Sequence, residues 1–316
     1  MTSTTPDASA VPVVLLLFKR PALTAQLLER LRAVKPSLIL AVADGPRPDH
    51  PEEQEACARV RDLVKSEIDW PATVRTEYAE ANLGLRHRVS SGLNWAFGQV
   101  EEAIILEDDC LPHPDFFRFC AELLDYYRHD TRVGVVAGVN FQSPSFSRAA
   151  SYYFSKYPHC WGWATWKRAW RYFDLEASSW PALKAGGLLH HLFQEPAETE
   201  YWSRIFDEVH AGKRNSWAYP WLLACWQQSL LSVIPAVNLV SNVGSGEAAT
   251  HCADSPLLHR PAAPMVFPLR HPANVVMDSD ADDYCQRNVF GSIQPAGWRA
   301  KLRRFLFQKS RMIGVA

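Results

Sequence analysis

Ile104-Ile105-Leu106-Glu107-Asp108-Asp109 passes without a break from three aliphatic residues to three carboxylates. Such a run reads as a strand over residues 103–106, buried on both faces, that delivers acidic side chains at its carboxyl end. Working back from it, residues 11–18 form another β-branched and leucine run, broken at Lys19-Arg20-Pro21, where Pro21 suits the first position of a helix. Leu23, Leu27, Leu28, Leu31 and Val34 then recur at helical spacing, and a second buried strand at 38–43 ends on Asp44-Gly45-Pro46. An amphipathic helix (52–66), a short strand (73–78) and a helix after Gly84 carrying Val89, Leu93, Trp95 and Phe97 lead back to the acidic strand. Strands alternating with helices predict an α/β fold with a mostly parallel, doubly wound sheet, whose functional loops lie at the strands' carboxyl ends. Three such loops carry reactive groups here: Lys19-Arg20, Asp44 and the acidic triplet.

Beyond Asp115 the pattern predicts a helix to about residue 129 and an apolar strand over 133–139. From Ser151 it changes. Trp161, Trp163, Trp166 and Trp170 crowd a stretch that reads as loop followed by helix, and helical periodicity returns over 182–193, 198–210 and 221–231. Residues 251–295 are rich in proline and weakly periodic, with no internal repeat anywhere in the chain.

Composition bounds the function. The 316 residues are 47% hydrophobic and 21% charged, enough for one large domain with a sizeable core. A net charge of −1 supplies no field for nucleic acid, so no nucleic-acid partner is expected. The seven cysteines include no Cys-x-x-Cys pair, which argues against a disulfide framework or a structural zinc and fits a reducing compartment. Residues 1–10 lack the charged start and apolar run of a signal peptide, and the apolar run at 13–18 is too short to cross a bilayer. The chain reads as cytoplasmic.

A triplet of carboxylates at a strand end suits a hard divalent cation. Mg²⁺ and Mn²⁺ prefer one or two protein carboxylates together with phosphate oxygens, and so neutralise a diphosphate leaving group. Asp109 is the candidate direct ligand, with Asp108 and Glu107 placed for metal-bound water or ribose hydroxyls. The competing reading is an exposed acidic turn in which Asp109 caps the helix that starts around Pro112-His113-Pro114. An apolar strand followed by acids also occurs in P-loop ATPases, but no Gly-x-x-x-x-Gly-Lys-Ser/Thr is present.

The acidic strand with Phe116-Phe117 after it resembles the metal-binding segment of the GT-A fold glycosyltransferases, in particular the N-acetylglucosaminyltransferase I type, which uses a Glu-Asp-Asp triplet. Phe18-Lys19-Arg20-Pro21, residues 90–97, Trp161-Gly162-Trp163 and residues 238–251 resemble a bacterial group of family 2-like glycosyltransferases with the same arrangement. The resemblance implies a Rossmann-like sheet with a helical, loop-rich acceptor-side half, Mn²⁺ or Mg²⁺ as cofactor, a nucleotide-sugar donor (a UDP-sugar) and a glycan or glycolipid acceptor. It implies roles as well. Arg20 contacts the nucleotide phosphates, Asp44 accepts from the base, Asp109 ligates the metal, and Gly162 lets the backbone approach the donor sugar. His251 is a second metal ligand or a phosphate contact. Arg86 is a further phosphate candidate, and Trp161 a candidate acceptor platform. Each has a plainer alternative: an ion pair for Arg20, a turn for Asp44, core packing for the tryptophans.

An inverting transferase also needs a base for the acceptor hydroxyl. In the enzymes resembled, an aspartate follows a tryptophan there; the matching Trp217-Ala218-Tyr219-Pro220-Trp221 has alanine. Either Glu200, Asp207 or Glu208 serves, or the mechanism is retaining, or the protein is a catalytically silent nucleotide-sugar binder. A nucleotidyltransferase would want a glycine-rich loop after the first strand, and Phe18-Lys19-Arg20-Pro21 is not one. The expected layout is a disordered tail (1–10), a nucleotide-sugar-binding half (11–140), an acceptor-side half of the same domain (141–295) and a basic amphipathic helix (296–316). In that helix, Arg299, Lys301, Arg303, Arg304, Lys309 and Arg311 accompany an apolar stripe over 298–313, which suits peripheral contact with the inner face of a membrane.

Overall fold

A computed structural model describes residues 6–244 and 260–291. His251 and the basic stretch 298–313 lie outside the described residues. A 3-10 turn at Ala8–Ala10, in the stretch expected as a tail, is capped by Asp7 and precedes β1 (Val13–Leu17). Then follow α1 (Pro21–Arg32), β2 (Leu38–Ala43), α2 (Pro51–Ser66), β3 (Thr73–Tyr78), α3 (Gly84–Phe97) and β4 (Glu102–Glu107). The short β5 (Cys110–Pro112) leads into α4 (Pro114–Tyr126), β6 (Val133–Ala137), β7 (Tyr152–Ser155) and β8 (Trp163–Trp166). Helices α5 (Lys167–Trp170), α6 (Trp180–Ala185), α7 (Leu188–Leu192), α8 (Pro196–His210) and α9 (Ala218–Gln227) come next. They are followed by β9 (Leu231–Pro235), β10 (Val240–Asn242) and α10 (Ser279–Asn288).

Every residue of β1 is buried, which requires cover on both faces of the sheet. Val13, Leu15 and Leu17 enter one core with Leu27 and Leu31 of α1 and Val60 of α2, while Val14 and Leu16 enter the other with Val89 and Leu93 of α3. The period of two along the strand thus divides the helices between two layers. Eight strands lie in the order β3-β2-β1-β4-β8-β6-β9-β7. All share one direction except β7 and β8, which are antiparallel to their neighbours. The result is the mostly parallel, helix-flanked α/β sheet read from the sequence.

The order carries the functional consequence. The chain steps from β1 outward to β2 and β3, then returns to pair β4 on the other side of β1. Ligands of open α/β sheets bind in the crevice outside the strand ends at such a reversal. Here it lies between the carboxyl ends of β1 and β4, where Leu16 pairs with Glu107.

Three expectations need correction. The tryptophan stretch contains strand β8, because a tryptophan at each end of Trp-Ala-Thr-Trp imitates helical spacing although Trp163 and Trp166 enter opposite cores. The helix expected over 221–231 begins earlier and stops at Gln227, where Ser229 turns to φ 53° and the chain enters β9. The helix expected over 182–193 is two short ones divided at Gly186-Gly187. Most of the tryptophans are core. Trp163 stacks on Trp217 at 5.8 Å and lies 5.8 Å from Trp221, which is 5.1 Å from Trp170. Removing one member opens a large void, so Trp163→Ala is expected to lower unfolding free energy by about 3–5 kcal/mol, measured by urea denaturation.

Candidate functional site

The first strand hands the chain to α1 through Phe18-Lys19-Arg20, and no side chain caps that helix. Arg20, at the cap position, instead reaches across the crevice to β4. Its NH1 donates to Asp108 Oδ1 at 3.1 Å and to Asp109 Oδ2 at 2.8 Å. Asp108 is 6% exposed, and its own N–H donates to Leu16 O at 3.2 Å, stitching the turn to β1. Asp109 leads into β5, which pairs with β10, and Asn242 Nδ2 of β10 donates to Asp109 Oδ1 at 3.3 Å. Gly244 passes so close that a Cβ there would lie 2.2 Å from Asp109 Oδ2. His113, not Asp109, caps α4: its Nδ1 accepts from Asp115 N at 3.2 Å. Asp109 therefore does not cap α4, and Asp108 is buried rather than exposed.

Three carboxylates within one turn repel one another. Burial, then Asp109 and Asp108, push Glu107 up to about 8, although the residue as a whole is only partly buried. Burial pushes Asp108 up to about 7, outweighing the pull of Arg20. Only when all three are ionised does one guanidinium face three negative charges, a deficit equal to the charge of a divalent cation; below about pH 7 to 8 protons on Glu107 and Asp108 make up much of it. The donor set fits Mg²⁺ or Mn²⁺, which take few protein carboxylates and complete their shell with water and phosphate. The three do not form a closed cage. Among the described residues, the one group of three metal-type side chains with donor atoms within 4.8 Å of one another is His50, Glu52 and Glu53. That group is already charge-balanced, since Glu53 holds Lys19 Nζ at 2.5 Å and also pairs with Arg47.

The other candidates are placed as follows. Asp44, expected to accept from a base, is 5% exposed and fully engaged by protein. Its carboxylate accepts from Gly45 N (2.8 Å), Leu83 N (2.8 Å), Asn82 Nδ2 (3.0 Å) and Gly84 N (3.1 Å). These occupy roughly the four acceptor positions a carboxylate has, so Asp44 anchors the start of α3. Arg86 donates to Leu175 O at 3.1 Å and to Glu176 at 2.9 Å. Gly162 has φ 65°, and a Cβ there would meet Val240 Cγ2 at 2.8 Å, so apolar packing by itself demands glycine. Trp161 lies edge-on to Phe141 at 5.1 Å and is partly exposed.

The base candidates lie together on α8, lining one surface cleft. Asp207 pairs with Lys184 and accepts from Trp180 Nε1, and Glu208 pairs with Arg214. Among the described residues, no hydrogen bond or ion pair links any of the three to the triplet. Ala218 opens α9 beside Trp163 and Trp217. Sequence reasoning passed over Asn242 and Gly244, although both fall in the 238–251 stretch that carries the resemblance. It also passed over Glu53, because an acid in a first helical turn is ordinary.

No family model matches this chain, and no curated protein sequence matches it. Among solved structures, an active-site mutant of LgtC is similar at 13% identity, with 92% of this chain and all of that chain covered and a TM-score of 0.37. UDP-glucose pyrophosphorylase in complex with UDP-glucose is similar at 10% identity, 76% and 96% coverage and a TM-score of 0.36. A cytidylyltransferase from Leptospira borgpetersenii is similar at 13% identity and a TM-score of 0.32, and 52% of this chain spans 63% of its length.

The electrostatics set a pH dependence. A carboxyl held above its usual range near 4 favours the fold while protonated. Stability from Glu107 and Asp108 is therefore full below about pH 4 and is lost as pH rises through about 7 to 8. A divalent cation held by these carboxyls would compete with those protons, so Mn²⁺ would raise the melting temperature more at about pH 8.5 than at about pH 6. An equal shift at both would contradict the assignment.

Proposed function

We propose that this protein is a metal-dependent glycosyltransferase that moves a sugar from a nucleotide-diphosphate donor, a UDP-sugar in the first instance, to a glycan or glycolipid acceptor. One observation carries the reading: three carboxylates and Arg20 gathered at the switch point of a doubly wound sheet, with acid in excess. Asp109 would hold Mn²⁺ or Mg²⁺, with Asp108 and Glu107 beside it; His251, outside the described residues, is a further candidate ligand. The cation, when bound, supplies positive charge against a diphosphate leaving group. Arg20 sits on the same carboxylates, and a ligand that brings its own cation would release the guanidinium to turn to phosphate oxygens. Asp44 acts indirectly by holding residues 82–84 in place. Gly162 sets the backbone turn beside β4, and Arg86, the further phosphate candidate, is held in an ion pair with Glu176.

A silent nucleotide-sugar binder is the second reading, favoured by Ala218 and by the ion pairs that occupy Asp207 and Glu208. Contact with a membrane through residues 298–313 is a separate proposal. No helix of the described residues is long and apolar enough to cross a bilayer. Liposome flotation of the full chain against one ending at Gly297 tests that contact.

Thermal-shift measurements with UDP, GDP and CDP, with and without Mn²⁺, test the central reading. At least one diphosphate should stabilise the protein in a Mn²⁺-dependent way, and Asp109→Ala should remove that dependence while the protein still melts cooperatively. No shift with any nucleotide would sink the proposal. A shift without turnover of any donor sugar would favour the silent binder.

A further inference from the structure

The first turns of α3 and the residues after α5 face each other across an open groove of about 390 Å³, within the roughly 300–1,000 Å³ of small-molecule sites. Leu83, His87, Ser90, Ser91 and Asn94 line one wall, and Phe173, Asp174 and Leu175 line the other. The walls are cross-braced. Arg86 donates to Leu175 O and Glu176, Trp170 Nε1 donates to Asn94 Oδ1 at 2.8 Å, and Phe173 stacks on Trp170 with ring centroids 4.2 Å apart. Asp174 folds its own turn by accepting from Glu176 N at 3.1 Å and Ser178 N at 2.6 Å. The groove is therefore shaped before any ligand arrives, which lowers the ordering cost of binding.

Its chemistry is selective. The exposed part of the α3 wall presents the Ser91 hydroxyl, the Asn94 amide and the His87 imidazole, with none of the lysines, arginines or glutamates that usually cover a solvated helix face, while Ser90 is buried and donates to Arg86 O at 2.6 Å. Arg86, the cation that joins the walls, is already paired, so an anionic ligand finds no counter-charge there. Leu83, 46% exposed, and the Phe173 ring add apolar surface. A sugar ring offers the complement: hydroxyls around its rim and C–H groups on its faces.

We propose that this groove is a carbohydrate-binding cleft, separate from the Arg20–triplet cluster, that takes a neutral glycan segment. The inference goes beyond the transferase reading and does not depend on it. If that reading holds, Leu83, whose N–H donates to Asp44, places the groove's upper end beside the carboxyl edge of β2. The cleft would then grip part of the acceptor away from the reacting hydroxyl.

Saturation-transfer NMR on the full chain, without nucleotide, tests it with glucose, galactose, N-acetylglucosamine, cellobiose, lactose and N,N′-diacetylchitobiose at millimolar concentration. At least one sugar should receive saturation, and Ser91→Arg, at an exposed position, should weaken its binding about tenfold or more without changing the melting temperature. Phe173→Ala should act in the same direction. Silence from the whole panel, or a signal that survives Ser91→Arg, would overturn the proposal. Mn²⁺-dependent nucleotide binding by Ser91→Arg should match that of the unaltered chain, so the failure of either idea is visible without the other.

Discussion

The contact of Arg20 with Asp108 and Asp109 joins the carboxyl ends of β1 and β4, and much of the molecule is arranged to hold that contact. A guanidinium at 18% side-chain exposure facing two acids at 9% and 15% is screened far less than a surface pair. It cannot balance a third carboxylate one residue earlier. Protons on Glu107 and Asp108 relieve the resulting repulsion near neutral pH, and a cation bound there would relieve it at higher pH.

The surrounding loops are held by buried acids whose charge is used up within the protein. Glu53 clamps Lys19 and Arg47, tying the turn after β1 to the turn after β2. Asp44 collects the donors of residues 82–84 and so sets the start of α3. Fully satisfied buried networks of this kind specify one loop arrangement, because breaking any member leaves a desolvated charge. Asp44, expected to accept from a base, and Glu53, not singled out in the sequence, are both engaged by protein donors, whereas the triplet has more carboxylates than cations.

The tryptophans show the same division between composition and position. A sugar platform and a packed core need the same residue, and only neighbours distinguish them. Trp163, Trp217 and Trp221 are fully enclosed by each other and by α3 and α9. Phe173, which nothing in its local sequence singles out, borders an open groove.

The sequence by itself determined the alternating first half almost residue by residue, because strands buried on both faces leave unbroken apolar runs and their helices leave a 3.6-residue repeat. It also located the triplet, since three adjacent acids at the end of a doubly buried strand concentrate charge where the chain emerges from the core. It did not determine β8 or β9, whose short aromatic and aliphatic runs fit either period and whose pairing partners lie far away in the chain. Nor did it say whether Asp44, Arg86 and Gly162 face a ligand or the protein. That was decided by tertiary structure, because a carboxylate, a guanidinium or a missing side chain takes its role from the atoms within hydrogen-bonding or van der Waals reach, and the fold alone chooses those atoms.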